Sequence, residues 1–122
     1  MNPQELATNF LNAYYNTMMT NRKDMIKYYR DNSQMSYEGD TRVGIQQIME
    51  KIEGLSFGSI QYKFEGYECQ QTLLPNSLLL LVNGTLQMDG TDTFNFYQCF
   101  LLVGETSGSF YLANDIFKLI LG

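Results

Sequence analysis

The sequence predicts an α+β domain, with helices first and long strands after them. Two observations carry that reading. Apolar residues recur at helical spacing in the first half and alternate with polar residues in much of the second. The two patterns come in blocks, whereas a parallel βαβ sheet would interleave them. No linker, repeat or low-complexity segment divides the 122 residues, so one domain over residues 1–122 is expected.

Asn2-Pro3-Gln4-Glu5 reads as a helix start. Asn2 can cap, Pro3 suits the first helical position, and Glu5 sits where a capping-box acid belongs. Leu6, Phe10, Ala13, Tyr14, Thr17 and Met18 then form one stripe that packs on a core. Thr20 to Asp24 restarts the pattern with a new cap. Met25, Tyr28 and Tyr29 give a short second helix ending near Asp31-Asn32. Gln34 to Glu38 is a short strand, Gly39-Asp40 a turn, and Thr41 to Val43 returns beside it. Gly44 opens a third helix with Ile45, Ile48, Met49 and Ile52 on one side, and Gly54 caps its end.

Strands follow. Ile60, Tyr62 and Phe64 alternate with Gln61, Lys63 and Glu65, and the strand runs on through Cys69 with Gly66 as a bend or bulge. Leu74-Pro75-Asn76 turns the chain into a strand from Leu78 to Met88. Asp89-Gly90 is a strong hairpin signal. Thr93 to Val103 returns, a polar loop spans Gly104 to Gly108, and Ser109 to Leu121 is the last strand. Strict alternation there places Tyr111, Ala113, Asp115, Phe117, Leu119 and Leu121 on one face, with Leu112, Asn114 and Ile116 on the other. A carboxylate amid such a strand needs a partner, a cavity or a polar network. Three helices cover one face of the sheet. The apolar residues left on the other predict a homodimer packed sheet to sheet.

Composition narrows the function. The formal net charge is -5, a poor basis for binding nucleic-acid phosphates and a better one for a basic protein partner. The chain has no histidine, which removes Ser-His-Asp and Cys-His mechanisms. Cys69 and Cys99 read as reduced thiols of a cytosolic or nuclear protein. Residues 1–20 lack the charged start and apolar block of a secretory leader, and the longest apolar run, Leu78 to Val82, is too short to span a bilayer.

An ordered set of segments resembles the nuclear transport factor 2 family. It comprises Phe10 to Tyr15, Tyr37-Glu38-Gly39, Glu50-Lys51-Ile52 with Leu55-Ser56-Phe57, Ile60-Gln61, Phe96 to Leu102, and Asn114 to Leu119. The resemblance implies a cone-like fold, also described as cystatin-like. In it a strongly bent, mostly antiparallel sheet packs on three helices. It implies a homodimer that binds the GTPase Ran in its GDP form and the Phe-Gly repeats of nucleoporins. Such a protein works in cytoplasm and nucleus and at the pores of the nuclear envelope, with no enzyme activity or cofactor. In this family an aromatic side chain of Ran enters the mouth of the cone while rim acids pair with its basic groups. Carried over by position, Glu38 and Asp89 match the rim acids. Tyr37, Leu55, Ile60, Leu86, Met88, Phe94, Ile116 and Phe117 match the cavity lining.

The chain departs from the family pattern at several positions. Tyr37 stands where the family usually has Trp, and Tyr62 where it commonly has His. A second rim acid falls on Thr91, with Asp92 one residue along as its substitute. Pro3 replaces the aromatic used for Phe-Gly repeats. Two other readings remain open. One is an enzyme like ketosteroid isomerase or a polyketide cyclase, with Asp115 as base and Tyr37 or Tyr62 as donor. The other is a scaffold domain of the messenger-RNA export or stress-granule type. Each acid also has an ordinary role open to it: Glu38 as a solvated turn residue, Asp89 and Asp92 as turn chemistry around Gly90.

Overall fold

Helix α1, Pro3–Thr20, begins where the Asn2 side chain accepts a hydrogen bond from Glu5 N at 2.8 Å, with Pro3 in its first turn. Its buried side includes Ala7, Phe10, Leu11, Tyr14, Tyr15 and Met18. Ala13, expected on this side, is exposed, because the core-facing stripe runs through Leu11 and Tyr15 instead. The computed structural model describes residues 2–55, 58–105 and 109–120. Ser56, Phe57, most of the loop expected over residues 104–108, and Leu121 lie outside them.

The second helix is a 3₁₀ helix, Arg22–Tyr28, without a side-chain cap. The short hairpin is β1, Gln34–Tyr37, with β2, Asp40–Val43, and helix α2 spans Ile45–Glu53. Four long strands complete the chain: β3, Ile60–Gln71; β4, Ser77–Met88; β5, Thr93–Gly104; and β6, Phe110–Ile120. They form one sheet in the order β2-β1-β6-β5-β4-β3. Neighbours pair antiparallel except β1 and β6, which run parallel. The architecture is therefore α+β, a mixed and mostly antiparallel sheet against the helices, as expected.

Two irregularities interrupt the sheet. The register of β3 with β4 skips Glu65, next to the glycine expected to mark a bend. Gly84 allows the close approach there, since a Cβ on it would lie 2.3 Å from Lys63 O. The second skip is on β6: Leu101 pairs with Asn114 and Leu102 with Leu112, leaving Ala113 unpaired. That bulge changes the face assignment. Leu112, Asp115 and Phe117 are all buried on the helix side, while Asn114, Ile116 and Lys118 are exposed. Strict alternation had put Leu112 with Ile116, and one extra residue reverses that.

Aromatic packing fills the space between helices and sheet. Phe10 and Tyr14 of α1 meet Phe100 of β5 at ring-centroid distances of 5.2 and 4.9 Å, both edge to face. Tyr15 lies 5.9 Å from Phe96. A forked pair of hydrogen bonds from Arg30 to Glu105, 3.1 and 2.9 Å, ties the segment after the 3₁₀ helix to the end of β5.

Candidate functional site

One end of the inner sheet face gathers most of the residues carried over as cavity lining. Cross-strand pairing brings Ile60 opposite Met88, Leu86 opposite Phe94, and Tyr37 opposite Phe117. Ile60, Leu86 and Phe117 are buried and form the floor. Tyr37, Leu55, Met88 and Phe94 are half-buried around it. Tyr37 stacks on Phe117, centroids 4.5 Å apart and planes 13° from parallel, and Phe117 stacks on Phe96 at 5.5 Å. Ile116 does not belong here. It is 49% exposed on the opposite face, because neighbours on a strand point to opposite sides. Its assignment as cavity lining together with Phe117 is corrected accordingly.

The two principal acids share one backbone device. Glu38 and Asp89 have φ of 53° and 52°, and each is followed by a glycine of positive φ, Gly39 at 86° and Gly90 at 72°. Consecutive left-handed residues are the signature of the type I′ turn, which suits the twist of a hairpin. Each acid therefore sits at a tip beside the apolar floor. Each also uses one oxygen internally. Leu119 N donates to Glu38 Oε1, and Glu38 N donates to Phe117 O at 3.1 Å, so Glu38 prolongs the parallel β1–β6 ladder after the chain turns away. Asp89 Oδ1 accepts from Gly58 N at 2.9 Å and Ser59 N at 2.7 Å. Asp92 is exposed beyond the same turn. Thr91, at the position of the missing second acid, closes the turn with its N and Oγ1 donating to Met88 O.

Several interactions at this end were not legible in the sequence. The hydroxyls of Tyr37 and Tyr62 interact; burial pushes the Tyr37 phenol up to about 12, with Glu38 adding to the shift and Arg22 opposing it. Tyr62 is pushed up too, by burial first and Tyr37 next. Tyr37 and Tyr62 thus form an interacting pair. Arg22 Nη1 is buried. Lys51 Nζ stands 5.5 Å from the centroid of the Tyr37 ring. The positive charge on a long flexible side chain gave no signal of where it would lie.

Asp115 occupies a different place. It is 1% exposed and accepts from Gln98 Nε2 at 2.7 Å, Tyr29 OH at 2.7 Å and Tyr14 OH at 3.0 Å. Tyr15 OH donates in turn to Gln98 Oε1 at 2.8 Å. Burial raises the Asp115 pKa, opposed by these donors from Gln98, Tyr29 and Tyr14. The polar network is the solution adopted for this carboxylate.

A cleft of about 570 Å³ lies at the other end of the chain's inner layer. Pro3, Leu6, Leu74, Pro75, Leu78 and Phe110 supply its apolar lining. Cys69 and Cys99 are free thiols. Cys69 pairs across β4 with buried Leu80, and Cys99 with exposed Leu81, which sets the two on opposite faces. Among the described residues no group of three or more His, Cys, Asp or Glu could hold a metal ion, and no helix is long and apolar enough to cross a membrane.

Comparison with known proteins covers nearly the whole chain. The family model described as the nuclear transport factor 2 (NTF2) domain matches residues 6–119. Nuclear transport factor 2 of Neurospora crassa is 35% identical over 117 residues, which covers 95% of this chain and 94% of that protein. Nuclear transport factor 2B of Arabidopsis thaliana is 33% identical over 120 residues, 98% of this chain and 95% of that one. The solved structure of nuclear transport factor 2 from Cryptosporidium parvum superposes with a TM-score of 0.91 at 28% identity, covering 97% of this chain and 94% of that one.

Proposed function

The chain belongs to the nuclear transport factor 2 family, and from that premise we propose that it binds Ran in its GDP form and carries it into the nucleus. The observation that carries this reading is the placement of Glu38 and Asp89 at paired hairpin tips flanking one apolar floor. An aromatic anchor of the partner packs on Tyr37, Leu55, Ile60, Leu86, Met88, Phe94 and Phe117. Basic groups of the partner meet the outward carboxylate oxygens of Glu38 and Asp89, with Asp92 adding charge. Buried anchors supply affinity, and rim charges set encounter rate and register.

The protein acts as a homodimer. Leu79, Leu81, Tyr97, Ile116 and Ile120 are each 40–52% exposed on the outer sheet face. Leu81 lies opposite Cys99, and Cys99 opposite Ile116, so they form a continuous apolar patch across three central strands. Ile116 finds its role here. Phe-Gly repeats of nucleoporins dock in the cleft beside Pro3, where Leu6, Leu74, Pro75 and Phe110 compensate for the absent aromatic. The protein then shuttles between cytoplasm and nucleus and concentrates at pores.

The protein is a carrier and no enzyme. Asp115, the residue an isomerase-like reading would need as base, is fully buried with both oxygens occupied by donors. A pull-down comparing Ran-GDP with Ran-GTP tests the proposal. Capture of the GDP form alone supports it; equal capture of both forms, or of neither, overturns it.

A further inference from the structure

The same hairpin that raises Glu38 also carries a positively charged cluster. Arg42 donates from Nε to Asp40 Oδ1 at 3.0 Å and from Nη2 to Oδ2 at 3.1 Å. Lys51, in the last turn of α2, lies 3.2 Å from Asp40 Oδ2. Two cations thus share one carboxylate in direct contact, a formal excess of one positive charge within the contact cluster, while the exposed Glu50 acts on Arg42 from outside it. An ammonium has three donors and a guanidinium five, so donors remain after Asp40 is served. The side chains are 25% exposed at Lys51, 31% at Arg42 and 39% at Asp40, accessible yet held. Their position is fixed relative to the apolar floor: Tyr37 pairs with Asp40 across the hairpin, and Lys51 stands over its ring. Phe117 fills a face of the same ring. Anything that docks on Tyr37 therefore meets Lys51 beside it.

Resting on the reading of this surface as the Ran-docking face, we propose that the Arg42–Lys51 cluster receives a carboxylate of the partner, so that the docking surface is bipolar. One side offers acids at Glu38, Asp89 and Asp92; the other offers the two cations that share Asp40. A lone carboxylate matches the excess within that contact cluster. A phosphate dianion would face the nearby acids and a chain of net charge -5. The partner segment that fits carries an aromatic anchor between basic residues and one acidic residue. Charge pairs of both signs fix register, because sliding the partner brings like charges together.

Titration calorimetry with GDP-loaded Ran tests this with variants of opposite expected sign. Lys51→Gln removes a cation and weakens binding roughly tenfold. Arg42→Gln, which keeps the Lys51–Asp40 pair, weakens it as well. Asp40→Asn frees both cations and strengthens binding, whereas a merely structural role for Asp40 would weaken it. Unchanged affinity in Lys51→Gln, or a loss in Asp40→Asn, overturns the inference while leaving the carrier reading intact. Failure of the unaltered protein to bind GDP-loaded Ran overturns both.

Discussion

The ring of Tyr37 lies flat on that of Phe117, 4.5 Å between centroids, joining the edge hairpin to the last strand. Phe117 is 2% exposed and stacks in turn on Phe96. Phe117→Ala removes the middle of that stack and is expected to cost about 3–5 kcal/mol of stability. Urea unfolding measures it. Tyr37→Ala, at a half-buried edge, is expected to cost less stability and to lower affinity for Ran-GDP more.

Glu38 combines a structural bond with a free charge. Its Oε1 accepts from Leu119 N. Glu38→Gln retains an acceptor of the same shape, so the melting temperature is expected to stay near that of the unaltered protein while Ran-GDP binding falls. Glu38→Lys reverses the rim charge and is expected to abolish binding with the fold retained. Calorimetry beside circular dichroism separates the two effects.

Asp89 pins the segment at Gly58 and Ser59 through Oδ1. Asp89→Asn keeps that acceptor and is expected to alter binding alone. Asp89→Ala is expected to cost about 1 kcal/mol of stability as well. Asp92 makes no such bond among the described residues and is exposed. Asp92→Asn is expected to leave stability unchanged and to reduce the salt dependence of the association rate, read by stopped flow.

Asp115 leaves a pH signature. Its folded pKa lies above the ordinary value of 3.8 because burial disfavours the charged form. Between the unfolded and the folded pKa the native state binds the extra proton, so stability from this group is fully present below about 3.8 and declines as pH rises through the folded value. Asp115→Asn removes that slope. Urea unfolding of both proteins from pH 4 upward is expected to show the stability difference, native minus variant, falling with pH. A difference that stays level would contradict it.

The outer face gives a test of assembly. Leu81 is 52% exposed at the centre of the apolar patch. Leu81→Glu places charge there and is expected to yield a folded monomer in sedimentation at micromolar concentration, where the unaltered protein is expected to sediment as a dimer.

Much of this was legible locally. Asn2, Pro3 and Glu5 announced the first helix, and the cap bond is present. Asp89-Gly90 announced a hairpin, and Gly66 lies beside a real bulge. These features depend on residues within a few positions of one another. The bulge at Ala113 had no such marker, so alternation put Leu112 on the wrong face, whereas Ile116 was misplaced by the positional match to the family and not by alternation. The donors to Asp115 lie 101, 86 and 17 residues from it in sequence, and no spacing rule connects them.

The sequence by itself determined the order and type of the elements, the acidic balance and the family pattern, because these follow from short-range spacing and side-chain chemistry. Tertiary structure alone decided which residues share a surface. Parallel pairing of β1 with β6 lays Tyr37 on Phe117. The fold of α2 over the hairpin brings Lys51 to Asp40. One unpaired residue in β6 lets Leu112 face inward together with Asp115 and Phe117. A single-residue shift in register exchanges the two faces of a strand, and only the completed packing selects between them.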